Sequence, residues 1–280
     1  MIWKTRHKSM DLTRRGRVMG VLNVTPDSFS DGGCHLEASE ALKRAAVMIS
    51  EGAEIIDVGG ESTRPGALPV PAEIEIGRTS AVIHRIRGFW DGWISIDTSK
   101  AEVASAALAA GADIVNDVSG LLADPEMAGV CARAGCGVVV MHMQGNPRTM
   151  QQAPRYENVV REVAGFFAER HRTLTGLGIG AESLCYDPGI GFGKSLEHNL
   201  ELLRCLPSLT VAGRPLLLGV SRKSFIGRVL GCDDLESREW PTVAITARAR
   251  QCGVMIHRVH QVKPNLQALR MIEAILGAAD

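Results

Sequence analysis

Along the chain, short apolar runs rich in Val and Ile each end in a polar or glycine-containing cluster, and a helical stretch follows. Eight such runs occur, at residues 18–21, 54–58, 93–96, 114–115, 138–141, 184–186, 216–220 and 254–256. Between them, apolar positions recur at helical spacing over 38–50, 100–110, 158–177, 196–206, 242–252 and 266–276. Gly111 stands where a helix-terminating glycine belongs. Strands that are apolar throughout, alternating with amphipathic helices, predict a parallel sheet covered by helices.

Such a sheet is either open and doubly wound or closed on itself. Eight evenly spread units predict closure into a (β/α)8 TIM barrel of class α/β. The first run leads into Asn23-Val24-Thr25-Pro26-Asp27, not into the glycine fingerprint that opens a dinucleotide-binding sheet. No linker or second apolar core interrupts the pattern. This predicts one domain over residues 1–280, with 1–17 as a lead-in to the first strand.

In a barrel of this kind, chemistry belongs at the C-terminal ends of the strands. The polar residues gather there. In order they are Asn23, then Asp57 with the stretch 59–66 (GGESTRPG), Asp97, Asn116-Asp117, His142, Asp187-Pro188-Gly189, Ser221-Arg222-Lys223-Ser224 and Arg258-Val259-His260. Taken singly, several have plain structural roles. Asp97 can cap a helix, Asp187-Pro188 can start a turn, His142 can be a satisfied core histidine, and Asp57 and Glu61 can brace loop backbone. Those roles do not predict their coincidence on one rim. Lys223, in a first helical turn, also opposes the helix dipole, which points to function.

The side-chain chemistry divides into two regions. Asp97, Asn116 and Asp187 offer acceptors suited to a planar heterocycle with a donor-rich edge, held in an apolar pocket, with Lys223 as a donor to the ring. Arg64, Arg222, Arg258 and His260, with Asn23 and Thr63, compose an anion site. Arginine forks match phosphate oxygens, and glycines let backbone N–H groups approach.

Composition narrows the partners. Lys+Arg and Asp+Glu are both 31, so the basic excess of a nucleic-acid binder is missing. No apolar run reaches the roughly 18 residues of a membrane span. The seven cysteines are odd in number and form no C-x-x-C, which predicts reduced thiols and a cytoplasmic setting. The basic stretch 1–17 lacks a following apolar signal segment; a mitochondrial presequence is the weaker alternative.

Eight segments, in order, resemble the dihydropteroate synthase family over essentially the full length. They are MGVLNVTPDSFSDGG (19–33), GAEIIDVGGESTRPGA (52–67), SIDTSK (95–100), GADIVNDVSG (111–120), VVVMHMQGNPRTMQ (138–151), YDPGIGFGKSLEHNLELL (186–203), GVSRKSFIG (219–227) and RVH (258–260). The resemblance implies joining of 4-aminobenzoate to 6-hydroxymethyl-7,8-dihydropterin diphosphate in folate biosynthesis. It implies that Asp97, Asn116, Asp187 and Lys223 hold the pterin and that Asn23 ligates Mg²⁺. It implies that Thr63, Arg64, Arg258 and His260 meet the diphosphate, and that Pro65, Phe192, Lys223 and Ser224 line the aminobenzoate pocket. Asp97, Lys223 and Asn23 are then the catalytic residues, and a homodimer through helices away from the rim is expected. The chain departs from the family at Gln261-Val262, where Asp-Val is common, and at Trp240-Pro241.

Rival readings are a methyltransferase barrel for reduced pterins, a Schiff-base aldolase using Lys223, and a non-catalytic pterin-binding protein. The first shares the Asp/Asn pterin trio but has less need of the arginines or of SRKSF, and the last predicts damage to Asn23, Lys223 or Arg258, all of which are present. The stretches 25–36, 59–71 and 143–158 are long for strand-to-helix connections and are expected to act as lids.

Overall fold

The computed structural model describes residues 1–25, 34–62, 66–146, 149–232 and 234–277, the side chains of 34–37 excepted. An antiparallel hairpin, β1 (Ile2–Lys4) and β2 (Ser9–Asp11), comes first. Eight parallel strands follow: β3 (Arg17–Asn23), β4 (Ile55–Gly59), β5 (Trp93–Asp97), β6 (Ile114–Asp117), β7 (Gly137–Met141), β8 (Leu184–Asp187), β9 (Leu217–Leu218) and β10 (Ile256–Val259). Their order is β8-β7-β6-β5-β4-β3-β10-β9, and a parallel bridge from Tyr186 to Leu216 brings the two ends together. The sheet is thereby nearly closed into the expected barrel.

Around it lie α1 (Cys34–Ser50), α2 (Ala72–Arg87), α3 (Ala101–Ala109), α4 (Met127–Ala134), α5 (Val159–Gly176), α6 (Leu196–Arg204), α7 (Ser224–Leu230), α8 (Glu239–Gln251) and α9 (Val262–Ile275). Helices α2 and α4 were not predicted. The buried face of α2 begins with Glu75 and Thr79, which hides its apolar period, and α4 has only eight residues. Helix α8 starts at Glu239, not 242, because Pro241 falls in the first turn, where a missing N–H is tolerated.

The strands are apolar on both faces for two different reasons. Their outward residues, such as Val18, Ile56, Ile94 and Val138, join the helices in the main core. Their lower inward residues, including Met19, Ile55, Ile114, Val139 and Cys185, form a second cluster with Trp3, Met10 and Leu12. The lead-in of residues 1–17 is therefore more than an approach to the barrel: its hairpin seals the N-terminal end. Trp3 is fully buried, stacks on Trp93 at 6.1 Å and donates from Nε1 to the Ser183 carbonyl at 2.7 Å. Burying such a ring contributes about 2–3 kcal/mol. Strands of three residues carry too little alternation to be legible in sequence.

Outside the barrel, His257 lies buried on β10 facing Arg250 and Glu273 of the covering helices, which are ion-paired at 2.9 Å. Burial pushes its pKa down to about 3, with the Val254 carbonyl opposing and Arg250 assisting. The unfolded chain, with an ordinary imidazole near 6.5, therefore takes up a proton that the folded state refuses. Stability from this group is present above about pH 6.5 and is lost as the pH falls toward 3. Between pH 6 and pH 5 the wild type should lose about 1 kcal/mol more than His257→Asn, measured by urea unfolding. Parallel losses would show that His257 does not supply the acid sensitivity. No helix among the described residues is long and apolar enough to cross a membrane.

Candidate active site

The register lays Asn23, Gly59, Asp97 and Asn116 side by side across β3, β4, β5 and β6. A strand's period of two puts Asp57 on the same face as Gly59, one step deeper in the barrel. Arg258 reaches in from β10. Its Nε donates to Asp57 Oδ2 and its Nη2 to Asp97 Oδ2, each at 2.6 Å. Asn116 Nδ2 donates to the same Asp57 oxygen at 3.1 Å. A Cβ on Gly219 would lie 3.7 Å from Asp187 Oδ2 and 3.8 Å from Arg258 Cβ, so these two residues flank the space that glycine leaves.

Two acceptors in this group are unspent. Asp57 Oδ1 and Asp97 Oδ1 are buried and have no hydrogen-bond partner. A buried oxygen without a partner costs roughly 1–3 kcal/mol, so these two acceptors are available to donors from a ligand. Burial pushes the Asp97 carboxyl up to about 7; Arg258 opposes the rise, and Asp57, Glu75 and Asp117 add to it. Asp187 is also raised, by burial first, with Lys223 and its hydrogen bond from the Gly189 amide (2.7 Å) opposing. Burial weakens the charge on Arg258, but Asp57 and Asp97 together hold it above the usual guanidinium range.

Lys223 approaches from the loop after β9. Its ammonium donates to the Ile190 carbonyl and sits 4.2 Å above the Phe192 ring. Burial draws it down to about 8, with Asp187 opposing and Arg258 adding to the fall. The residue before it, Arg222, has φ 61, a left-handed conformation that costs a β-carbon-bearing residue about 1 kcal/mol or more. Arg222 is held there by an ion pair with Glu239 and by Arg238, which donates to its carbonyl at 3.1 Å. Arg222, expected in the anion site, thus spends its charge on Glu239. Ser224 opens α7 directly after Lys223. Ser221 Oγ lies 2.9 Å from His260 Nδ1 and accepts from the His260 amide at 3.2 Å, which ties the β9 loop to the β10 end.

Asn23, Asp97, Asn116, Asp187, Lys223, Phe192, Arg258 and His260 therefore belong to strand ends or loops at one mouth of the barrel, and Ser224 to the helix start beside them. Thr63, Arg64 and Pro65 lie outside the described residues, as do 26–33 and 147–148; they take in most of the expected lid at 25–36 and small parts of those at 59–71 and 143–158. The site also contains residues that sequence reading left aside. Asp57, taken as a loop brace, is the hub of the network. Its position, two before Gly59 in an apolar run, marks it as inward-facing. Gln261, the family departure, is the N-cap residue of α9 and makes no side-chain cap bond.

Comparison with known proteins identifies the family. The family model described as "Pterin binding enzyme" matches residues 19–260. Dihydropteroate synthase of Escherichia coli strain K12 is 47% identical over 97% of this chain and 95% of its own. The Xanthomonas albilineans dihydropteroate synthase solved with 4-aminobenzoic acid superposes with a TM-score of 0.92 at 42% identity, covering 98% of each chain. The same organism's enzyme in complex with 7,8-dihydropteroate gives 0.89 at 39% identity over 99% of each chain. The chain belongs to the pterin-binding enzyme family and, within it, to the dihydropteroate synthases.

Proposed function

We propose that this protein condenses 6-hydroxymethyl-7,8-dihydropterin diphosphate with 4-aminobenzoate and releases 7,8-dihydropteroate and diphosphate. The pair of unpartnered acceptors on Asp57 and Asp97, deep in the barrel mouth, carries this reading. With Asn116 and Asp187 they offer the donor-rich edge of a pterin the partners it would lose on leaving water. Lys223 supplies the complementary donor.

The bond from the pterin methylene to the diphosphate oxygen breaks, and its electron pair leaves with the diphosphate. Cationic character then spreads from the methylene into the ring. Asp97 and Asp187 sit where a negative field favours that charge. The aryl amine is neutral near pH 7, so its lone pair attacks the methylene without a dedicated base, and its proton departs to solvent. Positioning and ionisation are therefore the main demands on the protein. We assign Thr63, Arg64, Arg258 and His260 to the diphosphate, and Pro65, Phe192 and Ser224 to 4-aminobenzoate.

Mg²⁺ suits the residues present. A Cβ on Gly59 would lie 3.6 Å from Asn23 Oδ1 and 3.6 Å from Asp97 Cβ, so a hard amide oxygen borders the same space as the carboxylate. Among the described residues no group of three or more His, Cys, Asp or Glu side chains could hold a metal. One amide oxygen fits an ion that takes its remaining ligands from water and the substrate's phosphates. When bound there through Asn23, Mg²⁺ would neutralise charge growing on the leaving diphosphate. Calorimetry should give a Mg²⁺ Kd of about 1 mM or weaker without diphosphate and at least tenfold tighter with it. Tight binding to the protein alone would remove Asn23 from this role.

The whole chain, residues 1–280, acts in this reading as one pterin-binding unit. We place it in the cytoplasm as a homodimer. The six cysteines with described side chains are all free, as reducing conditions require. Met271, Ile275 and Leu276 expose apolar surface at the end of α9, away from the mouth. The deciding experiment is diphosphate release with both substrates, with and without Mg²⁺, together with detection of dihydropteroate. Absence of turnover with Mg²⁺ present would overturn the assignment.

A further inference from the structure

One buried lysine is unaccounted for by this chemistry; burial draws Lys194 down to about 7, with Lys223 adding to the fall and Asp187 opposing it. Lys194 is 2% exposed, yet no carboxylate hydrogen-bonds to it among the described residues. Its ammonium lies 3.1 Å from His142 Nδ1 and donates to two carbonyls, those of His142 at 3.2 Å and Phe192 at 2.9 Å. Burial brings His142 down to about 3, with Lys194 adding to the fall, so its ring is neutral and Nδ1 is free to accept. The ammonium thus spends its three protons on acceptors from two different loops, one after β7 and one after β8.

The loop after β8 needs such a fastener. Gly189 and Gly193 have φ 66 and 61, and a Cβ at either would collide with a carbonyl of the β7 loop, His142 or Gln144. The two loops therefore lie backbone against backbone. Tyr156 Oη donates to the Gly193 carbonyl at 2.8 Å, and Asn199 Oδ1 accepts from the Gly191 amide at 2.7 Å. Residues 188–194 carry both the Ile190 carbonyl that receives Lys223 and the Phe192 ring beneath it.

We propose that Lys194 is a positioning residue for the aminobenzoate side of the site. It pins the Phe192 carbonyl to the β7 loop and so holds the Phe192 ring in place under Lys223. Three of the four pterin residues, Asp97, Asn116 and Asp187, stand on strands and do not depend on this fastener; only Lys223 leans on the fastened loop. The inference rests on the assignment of Phe192 to the 4-aminobenzoate pocket made above.

Steady-state kinetics of Lys194→Met, which keeps the length and removes the donors, provides the test. KM for 4-aminobenzoate should rise at least tenfold, while KM for the pterin diphosphate moves less than threefold. Tyr156→Phe removes one hydroxyl from the same fastening without emptying the core. It should shift the 4-aminobenzoate KM in the same direction by a smaller factor, and it decides the matter if Lys194→Met fails to fold. Equal changes in both KM values, or none, with an active wild type would overturn the role of Lys194 alone. A wild type that forms no dihydropteroate would take down the functional reading and this inference with it.

Discussion

Asp97→Asn is expected to lower kcat/KM by a factor of about 10²–10³ while leaving the barrel folded. The substitution keeps the size of the side chain but puts an amide where a buried acceptor is needed. It also removes a negative charge from the place where the methylene becomes cationic. In a site this dry, losing one charge-assisted contact to a developing charge costs about 3–4 kcal/mol, which is that factor. The pH profile separates this from a simple packing defect. With burial holding its carboxyl up at about 7, Asp97 becomes ionised only as the pH rises through that value. Wild-type kcat/KM should therefore fall about tenfold per pH unit below 7, and the Asn variant should lack that limb. A variant with wild-type rates, or one that keeps the limb, would sink the role given to Asp97.

Arg258→Met should cost about 3 kcal/mol of stability at pH 9, besides impairing turnover. The guanidinium stands between two buried carboxylates, and without it Asp57 and Asp97 face each other unpaired. Asp97 escapes by keeping its proton. Its pKa, already about 7 with Arg258 opposing the rise, climbs further when that opposition is gone. The deficit relative to wild type is therefore smallest below about pH 7, where Asp97 is protonated in both proteins. Above that it grows, by at most about 1.4 kcal/mol per pH unit, until the variant also ionises. Urea unfolding at pH 6 and pH 9 reads the difference. An equal deficit at both values would mean that Arg258 contributes packing rather than charge compensation.

The pairing of Arg258 also bears on how the site receives its substrate. It satisfies one oxygen of Asp57 and one of Asp97, and the other oxygen of each has no partner. The same guanidinium is assigned to the diphosphate, so loading the site requires it to divide its five donors between the carboxylates and the leaving group.

The alternation of apolar runs and amphipathic stretches sufficed for the barrel, because each strand and helix announces its buried face over its own few residues. The polar rim was legible for the same reason: Asn23, Asp97, Asn116 and Asp187 each close an apolar run, and the end of a strand is a local feature. Partnership is not local. Arg258 meets Asp57 across 201 positions of chain, and Trp3 meets Ser183 across 180, so only closure of the barrel chose those pairs. Asp57 looked like a brace, and no local feature singled out Lys194, until the fold placed both out of water. There a carboxylate or an ammonium must find partners, and the choice of partner is what gives each residue its work.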